Sequence, residues 1–311
     1  MKIGNIEVQN PLILAPMAGV TDVAFRSICV ELGADWGVGE LVSSKSLKYG
    51  NEKSLSLLYT ADNEKVKIAQ IFGSSPKIMA EAVKNPALAK FDIIDINMGC
   101  PTPKIVKNGE GAALMKDIDL AEKIIRACVE ASEKPITVKF RKGWDEEHEN
   151  YIEFAKMCER AGAAAITIHG RTAKQMYSGN VDLDAIKKVK ESVNIPVIGN
   201  GDVRDKASYQ HMLKYTKVDG VMIGRASMGN PKIFSEIKGN ECALSQYDII
   251  EKHITLLRKF YPDRFVAKHM RKHILWYIKG LKNINVFKNE ISRETNIEKI
   301  LKSLKEVYTN Q

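Results

Sequence analysis

The chain has 311 residues, with 47 Lys and Arg against 38 Asp and Glu, a formal net charge of +9. Hydrophobic residues make up 44% and charged residues 27%, as in an ordinary globular protein, which excludes a disordered or low-complexity chain. No apolar run approaches the roughly 18 residues that a membrane helix needs, and the N-terminus lacks the layout of a signal peptide. We therefore expect a cytoplasmic protein without a membrane segment.

The excess of positive charge lies near the C-terminus. Residues 243–311 carry 14 basic and 7 acidic side chains, whereas residues 1–242 carry 33 and 31 and are nearly balanced. Most of the excess falls between Arg258 and Lys282, where Asp263 is the one acidic residue. Such a concentration favours a polyanionic partner, most often nucleic acid, and a solvated helical face is the simpler alternative.

Between residues 12 and 223, eight short apolar runs alternate with longer helical patterns. The predicted strands are residues 12–15, 36–39, 67–72, 93–97, 136–140, 165–169, 196–199 and 220–223. The predicted helices are residues 22–32, 75–83, 117–131, 149–161, 183–192 and 206–215. Near-continuous apolar strands are typical of a parallel sheet that is covered on both faces. Eight strand–helix units over this length predict an α/β fold, a (β/α)₈ TIM barrel. A doubly wound open sheet is the alternative, but its glycine signature is missing after the first strand.

From about residue 246 the pattern contains helices only. Three stripes of apolar residues at helical spacing are Ile249, Ile250, Ile254, Leu257 and Phe260, then Phe265, Met270, Ile274 and Ile278, and finally Ile297, Ile300, Leu301 and Leu304. We therefore predict that the barrel, at residues 1–240, is the catalytic domain. A small all-α domain with a basic surface is predicted to follow at residues 241–311.

Polar residues and glycines stand at the C-terminal ends of the predicted strands, where barrels of this type carry their chemistry. They are Gln70, Asn97, Lys139, Arg141, His169, Arg171, Asn200, Gly201, Asp202, Gly224 and Arg225. Because these strand ends meet at one rim, we predict a pocket there. The glycines and Arg225 favour a phosphate site, and strand alternation points Lys139 toward the barrel interior. The simpler interpretations are turn glycines and a structural ion pair of Lys139 with a carboxylate.

The five cysteines are odd in number and form no C-x-x-C pair, so we expect neither a disulfide framework nor a metal site. Cys100 has a special position, because it follows the fourth predicted strand and precedes Pro101 and Pro103. The prolines keep it out of a helix and in a loop at the rim. The cysteines that lie within predicted helices, and are expected to be core thiols, are Cys29, Cys128 and Cys158.

Several sequence blocks together identify a family. They are Ala-Pro-Met-Ala-Gly-Val-Thr-Asp from residue 15, Asn-Met-Gly-Cys-Pro from residue 97, Lys139 with Arg141, His-Gly-Arg-Thr from residue 169, Gly-Asn-Gly-Asp from residue 199, and Gly224 with Arg225. In this order they closely resemble the tRNA-dihydrouridine synthases, over essentially the whole chain. Arg271, Lys272 and His273 with Trp276 and Tyr277 resemble the bacterial B-type subgroup.

The resemblance implies an oxidoreductase with tightly bound FMN that uses NADPH to reduce the C5–C6 double bond of particular uridines in tRNA. The implied FMN contacts are Pro16, Met17, Ala18, Gln70, Lys139 and His169 around the ring, and Asn200, Gly201, Asp202, Gly224 and Arg225 around the ribityl phosphate. Cys100 would be the proton donor. The resemblance to this subgroup suggests uridines of the D-loop, with position 17 of the tRNA as the expectation that it implies.

Elementary chemistry is consistent with these implied roles. Hydride transfer from flavin N5 to uracil C6 builds negative charge on C5, and a thiol with an ordinary pKa of about 8.5 is mostly protonated at neutral pH. Cys100 can therefore supply the proton to C5, while Lys139 stabilises the anionic reduced flavin. Asn97 offers both a donor and an acceptor for the uracil edge. Arg141 and Arg171 each suit either uracil O4 or the flanking phosphate.

A uridine in folded tRNA must be unstacked before it can enter a barrel, and contacts from the basic helices to phosphates would offset that cost. The residues expected to make them are Lys268, Arg271 and Lys272. Trp276 or Tyr277 could stack on a base, with the protein core as the simpler place for both.

Two other functions fit part of the pattern. One is a flavin barrel that acts on a small free pyrimidine, as in dihydroorotate dehydrogenases, although the basic C-terminal helices argue against it. The other is a phosphate-binding barrel that only binds RNA. We expect tRNA and NADPH as partners, with no obligate protein partner.

Overall fold

The computed structural model describes residues 1–282 and 284–309. A short antiparallel hairpin, β1 (Lys2–Ile3) and β2 (Ile6–Glu7), comes first. Its Ile3 is buried in an apolar cluster with Trp36, Ile68 and Ile93, which stand at the starts of barrel strands. The hairpin thus covers the end of the barrel opposite to the predicted chemistry.

Eight parallel strands follow and close into a barrel in chain order. They are β3 (Leu12–Leu14), β4 (Trp36–Ser43), β5 (Ile68–Phe72), β6 (Ile93–Met98), β7 (Ile136–Arg141), β8 (Ala165–His169), β9 (Val197–Asn200) and β10 (Gly220–Ile223). The last strand pairs with the first, with Val221 beside Leu12. This closure confirms the predicted TIM barrel, because the end strands of a doubly wound sheet do not pair with each other.

Helices connect the strands and cover the outside of the barrel. They are α1 (Val23–Glu31), α2 (Ser44–Lys48), α3 (Glu52–Ser56), α4 (Pro76–Val83), α5 (Pro103–Val106), α6 (Ile118–Ala131), α7 (Tyr151–Arg160), α8 (Leu183–Ser192), α9 (Lys206–Thr216) and α10 (Ile233–Lys238). The six predicted helices are confirmed, and the four that were not predicted have six residues or fewer. Such short helices show too little periodicity for detection.

Four more helices form the C-terminal segment. They are α11 (Gln246–Arg258), α12 (Asp263–Tyr277), α13 (Asn285–Ile291) and α14 (Ile297–Thr309). Their buried faces belong to the same apolar cluster as Phe25 and Ile28 of α1, so one continuous core joins them to the outer layer of the barrel. The division into two domains at residue 240 stays a prediction. None of the helices among the described residues is long and apolar enough to cross a bilayer.

Candidate active site

A cavity of about 1060 Å³ opens at the C-terminal rim of the barrel. Its volume slightly exceeds the usual range for small-molecule sites, about 300–1,000 Å³. The predicted residues that line it are Pro16, Met17, Ala18, Asn97, Cys100, Lys139, Arg141, His169, Arg171, Asn200, Gly201, Asp202, Gly224 and Arg225. The pocket predicted from the strand ends is therefore present, and all but one of its expected lining residues reach it.

The exception is Gln70, which lies behind the wall of the cavity. Its side-chain Nε2 donates to Asp95 Oδ2 at 2.7 Å, and its Oε1 accepts a hydrogen bond of 2.8 Å from the Asn97 amide. Thr137 donates to the other oxygen of Asp95 at 2.6 Å. Gln70 thus supports Asn97 from the barrel interior, and its direct contact with a cofactor stays a prediction.

The Asn97 side chain in turn holds the loop of Cys100. Its Oδ1 accepts the backbone N–H groups of Gly99 at 3.2 Å and Cys100 at 2.9 Å. One N–H of Asn97 is used by Gln70, which leaves the second free to face a ligand. The structure therefore gives Asn97 a positioning role that its expected uracil contact does not require.

Cys100 lies in the rim loop, as predicted, and is partly exposed to the cavity. Its thiol donates to the Thr102 hydroxyl at 3.2 Å. Gly111 has a φ of +60° and approaches so closely that a Cβ there would lie 2.7 Å from the Cys100 carbonyl oxygen. The three other cysteines expected in the core, Cys29, Cys128 and Cys158, are buried. Cys100 is thus the cysteine that the fold presents to the cavity.

Lys139 enters the cavity from the middle of β7. Its ammonium donates to Asn200 Oδ1 at 3.0 Å, and Asn200 donates to the Met222 carbonyl at 2.8 Å. The pKa of Lys139 is lowered to about 8, mainly by burial and also by Arg141, while Asp95 and Cys100 act in the opposite direction. Within the described ranges no carboxylate forms an ion pair with Lys139, so the alternative of a structural ion pair is wrong.

Two buried arginines bind backbone carbonyls of the rim loops. Arg141 donates to the carbonyl oxygens of Gly99 at 2.9 Å, Thr172 at 2.8 Å and Met176 at 2.9 Å. Arg171 donates to the carbonyls of residues 178 and 179 at 2.9 and 2.6 Å. Both guanidinium groups therefore shape the loop that follows β8, while they also line the cavity.

Asp202 joins two arginines at the far side of the cavity. Its carboxylate accepts both terminal nitrogens of Arg171, at 2.9 and 2.6 Å, and Arg225 at 3.2 Å. Arg225 also lies over the ring of Tyr177, 4.5 Å from its centroid. Tyr177 is an exposed aromatic residue that the sequence analysis did not identify as part of the site. Its position soon after the His-Gly-Arg block at the end of β8 was the one feature of the sequence that could have indicated it.

Positive charge exceeds negative charge around the cavity. Burial lowers the pKa of His169 well below its usual range, and Arg141, Lys139, Arg171 and Arg225 lower it further. Among the described residues that line the cavity, Asp202 is the one carboxylate, and it pairs with Arg171 and Arg225. The cavity therefore favours a ligand that carries negative charge.

The three residues expected to bind tRNA occupy different surroundings on α12. Lys268 is exposed. Arg271 donates to the Glu294 carbonyl at 3.2 Å, and its Nε is buried without a hydrogen-bond partner. Lys272 is half-buried, with its ammonium 2.9 Å from the position that a Cβ on Gly19 would take. Of the three, Lys268 is thus the exposed one.

The aromatic residues of α12 differ from the sequence prediction. Tyr277 is buried, and its hydroxyl lies 3.2 Å from His253 Nδ1. The interpretation that Tyr277 stacks on a base is therefore wrong. Trp276 is partly buried and lies edge-on to His273. Phe265, placed by the sequence in an apolar stripe, is exposed and stacks on Tyr261 at 4.4 Å between ring centroids. Phe265 is thus an exposed aromatic residue on the surface of α12.

Comparison with known proteins agrees with the sequence blocks. The family described as dihydrouridine synthase (Dus) matches residues 13–311. A tRNA-dihydrouridine synthase B of Vibrio vulnificus is 40% identical over 297 residues, which cover 93% of this chain and 92% of the relative. A probable tRNA-dihydrouridine synthase of Rickettsia conorii is 39% identical over 320 residues, covering 100% and 97%.

Two solved structures share the barrel fold at low identity. They are histamine dehydrogenase from Rhizobium sp. 4-9, with a TM-score of 0.60, 16% identity and 82% of this chain covered, and 2-naphthoyl-CoA reductase, with 0.61, 13% and 77%. The chain spans about half of each, 50% and 52% of their lengths. They show the fold, whereas the matches in sequence show the family. The resemblance is confirmed, and the chain belongs to the dihydrouridine synthase family.

Proposed function

We propose that the chain reduces the C5–C6 double bond of particular uridines in tRNA to 5,6-dihydrouridine, with FMN in the rim cavity and NADPH as the reductant. The observation that carries the proposal is the placement of Cys100 and Lys139 on one cavity, in a chain of this family. The names of its relatives, tRNA-dihydrouridine synthases, support tRNA as the substrate.

The cavity fits a flat, anionic cofactor. Pro16, Met17 and Ala18 form a mostly apolar stretch of wall on which a ring system can lie. Lys139 has a cationic group without a carboxylate partner among the described residues, and Asn200 holds it in place. We place the polar edge of the FMN ring against Lys139, where the ammonium would stabilise the negative charge of its reduced form.

We place the ribityl phosphate beside Gly201, Gly224 and Arg225. Arg225 is half-exposed and supplies a guanidinium suited to phosphate. Asp202 would hold Arg225 rather than contact the phosphate, because its oxygens already accept Arg171 and Arg225. His169, kept neutral by burial and by the surrounding cations, would line the ring without adding charge.

When bound and reduced, FMN would supply the hydride for uracil C6. Cys100 would deliver the proton to C5, since its thiol faces the cavity from the loop that Asn97 fixes. The second N–H of Asn97 would bind the uracil edge. Arg141 would position the uracil side of the cavity by holding the backbone carbonyl of Gly99. Arg171 would position the phosphate side by holding Asp202.

We place the tRNA on the exposed face of α12, next to the mouth of the barrel. Lys272 of this helix approaches Gly19, in the loop that also carries Pro16 and Met17. Arg264 and Lys268 flank Phe265 on the exposed side, which offers two phosphate contacts and a stacking surface. Contacts there would offset the cost of moving a uridine into the cavity.

The experiment is mass spectrometry of tRNA from a strain that lacks this chain and is complemented with variants. Wild type should restore dihydrouridine, Cys100→Ala should not, and Cys242→Ala should restore it as wild type does, since Cys242 lies outside the cavity lining. The purified Cys100→Ala protein should still be yellow and should still oxidise NADPH. Unchanged dihydrouridine in the deletion strain, or faster turnover of free uracil or orotate than of tRNA, would overturn the proposal.

A further inference from the structure

Three histidines of the C-terminal helices surround one carboxylate of the barrel, outside the cavity described above. Oδ2 of Asp22 lies 2.9 Å from His269 Nε2 and 3.5 Å from the Nε2 atoms of both His253 and His273. Oδ1 of Asp22 is used elsewhere, since it accepts two backbone N–H groups of α1 at 2.9 Å. The cluster therefore joins the N-terminus of α1 to α11 and α12.

The histidines of this cluster have unused nitrogen atoms. His253 and His273 are fully buried. Neither ring nitrogen of His273 has a hydrogen-bond partner, and neither does His253 Nε2, whereas His253 Nδ1 contacts the Tyr277 hydroxyl at 3.2 Å. Buried polar atoms without partners are rare in native proteins and call for a ligand or another explanation. A bound cation would satisfy the unused nitrogen of His273 that faces Asp22.

The spacing of the potential ligand atoms suits a metal ion. The atoms offered by Asp22, His269 and His273 all lie within 4.8 Å of one another. At a zinc–ligand distance of about 2.0–2.1 Å, ligand atoms in a tetrahedron stand about 3.4 Å apart, and the distances from Asp22 Oδ2 to the two histidines are 2.9 and 3.5 Å. His269 and His273 are four residues apart on one helix, a spacing that places both on one face.

We propose that Asp22, His269 and His273 bind a divalent transition metal, of which Zn²⁺ is the representative. Two imidazoles and a carboxylate suit zinc, iron or cobalt better than magnesium or calcium, which prefer oxygen ligands alone. His253, whose Nε2 faces the same carboxylate, is the nearest residue for a fourth position. The ion would fix α12, the helix that carries Lys268, to the barrel at Asp22. Asp22 follows Met17 of the cavity lining by five residues.

Charges around the cluster permit a cation there. Among the residues described, Glu40 and Lys272 are charged groups that act on it, and they carry opposite charges. The Asp22 carboxylate would then be the main negative charge next to the metal. No metal is expected from the sequence, because Asp22 and His269 are 247 residues apart and belong to no spaced motif.

The test measures zinc binding by the flavin-loaded chain after treatment with a chelator. Isothermal titration with Zn²⁺, followed by gel filtration and elemental analysis, should give one zinc per chain. X-ray absorption should show nitrogen and oxygen ligands at about 2.0–2.1 Å with imidazole scattering, and the melting temperature should rise with zinc. Sulfur ligands at about 2.3 Å would assign the zinc to a cysteine instead and would overturn the proposal.

Variants locate the site. His269→Asn should weaken zinc binding at least tenfold, and so should His273→Asn, whereas His148→Asn, which changes an exposed histidine, should bind as wild type does. Circular dichroism checks the fold of each variant. His269 is the least buried of the three histidines, so its variant remains informative if His273→Asn fails to fold. Failure of wild type to retain zinc, or binding by His269→Asn equal to that of wild type, would overturn the proposal.

Discussion

The side-chain oxygen of Asn97 accepts the backbone N–H of Cys100 at 2.9 Å, and so ties the rim loop to the end of β6. The same amide is held from behind by Gln70, which is held by Asp95. A chain of hydrogen-bonded side chains thus runs from the barrel interior to the backbone N–H of Cys100, the residue whose thiol faces the cavity. Displacement of Cys100 by about 1 Å would be enough to impair proton transfer.

Asn97→Ala tests this relationship. It should lower the rate of tRNA reduction by about 10²-fold, since a misplaced reacting group can cost that much, while flavin content stays near that of wild type. The measurement is dihydrouridine formed per tRNA under single-turnover conditions. Asn85→Ala is the control, because it removes an amide that caps a short 3₁₀ turn (Pro86–Leu88) outside the cavity lining. Equal loss of flavin and of activity in Asn97→Ala would show that Asn97 acts on the cofactor site instead.

Lys139 gives the flavin-free protein a pH-dependent stability. Its pKa is lowered to about 8 in the folded chain but is about 10.4 in an unfolded one. Between these values the unfolded state binds more protons, so the free energy of unfolding should rise with pH. Below pH 8 the full cost of burying the charge is present.

Lys139→Met should remove that dependence. The flavin-free variant should be more stable than wild type at pH 7, by about 3 kcal/mol, and the difference should shrink as pH approaches 10. Urea unfolding at both pH values measures it. A constant difference across this range would mean that Lys139 is not the titrating group.

Asp202→Asn should destabilise the rim. It leaves the buried Arg171 guanidinium without its carboxylate, and because Asp202 is 30% exposed we expect a cost of about 1–3 kcal/mol, below the about 3–5 kcal/mol typical of a fully buried pair. Chemical unfolding measures the loss, and Asp62→Asn, at an exposed position, should change stability by less than about 0.5 kcal/mol. Similar stabilities of the two variants would show that Arg171 finds other partners.

Exposed charges of α12 should control tRNA affinity. Arg264→Ala with Lys268→Ala should weaken binding and lower the slope of log K against log salt by about 1–2, because each phosphate contact contributes about 0.7–0.9. Lys123→Ala with Lys188→Ala, a pair of the same charge on α6 and α8, should leave both quantities unchanged. Oxidation of NADPH without tRNA should be the same in all three proteins. An equal effect of the two pairs would point to non-specific attraction.

The spacing of apolar residues and the alternation of predicted strands and helices were enough to predict the barrel. Each of its eight strands is a local apolar run, and the strand ends of one barrel must meet at one rim, so Cys100 and Lys139 could be placed on a common pocket. Cys100 was located by its neighbouring prolines. The prediction thus succeeded where local pattern and fold geometry together determine position.

Other features depend on contacts that no local pattern records. The carbonyls held by Arg141 and the position of Gln70 behind Asn97 follow from tertiary packing. The exposure of Phe265 depends on which face of α12 meets the barrel. The short helix α13 was missed for lack of periodicity. The Asp22 cluster arises because α12 packs against a helix from the other end of the chain.

The most direct test of the central claim is a single-turnover reaction of pre-reduced enzyme with unmodified tRNA. Cys100→Ala should form dihydrouridine about 10²–10⁴-fold more slowly than wild type, the usual contribution of a general acid, while Cys242→Ala keeps the wild-type rate. Formation of dihydrouridine by Cys100→Ala at the wild-type rate would contradict the assignment of Cys100 as the proton donor.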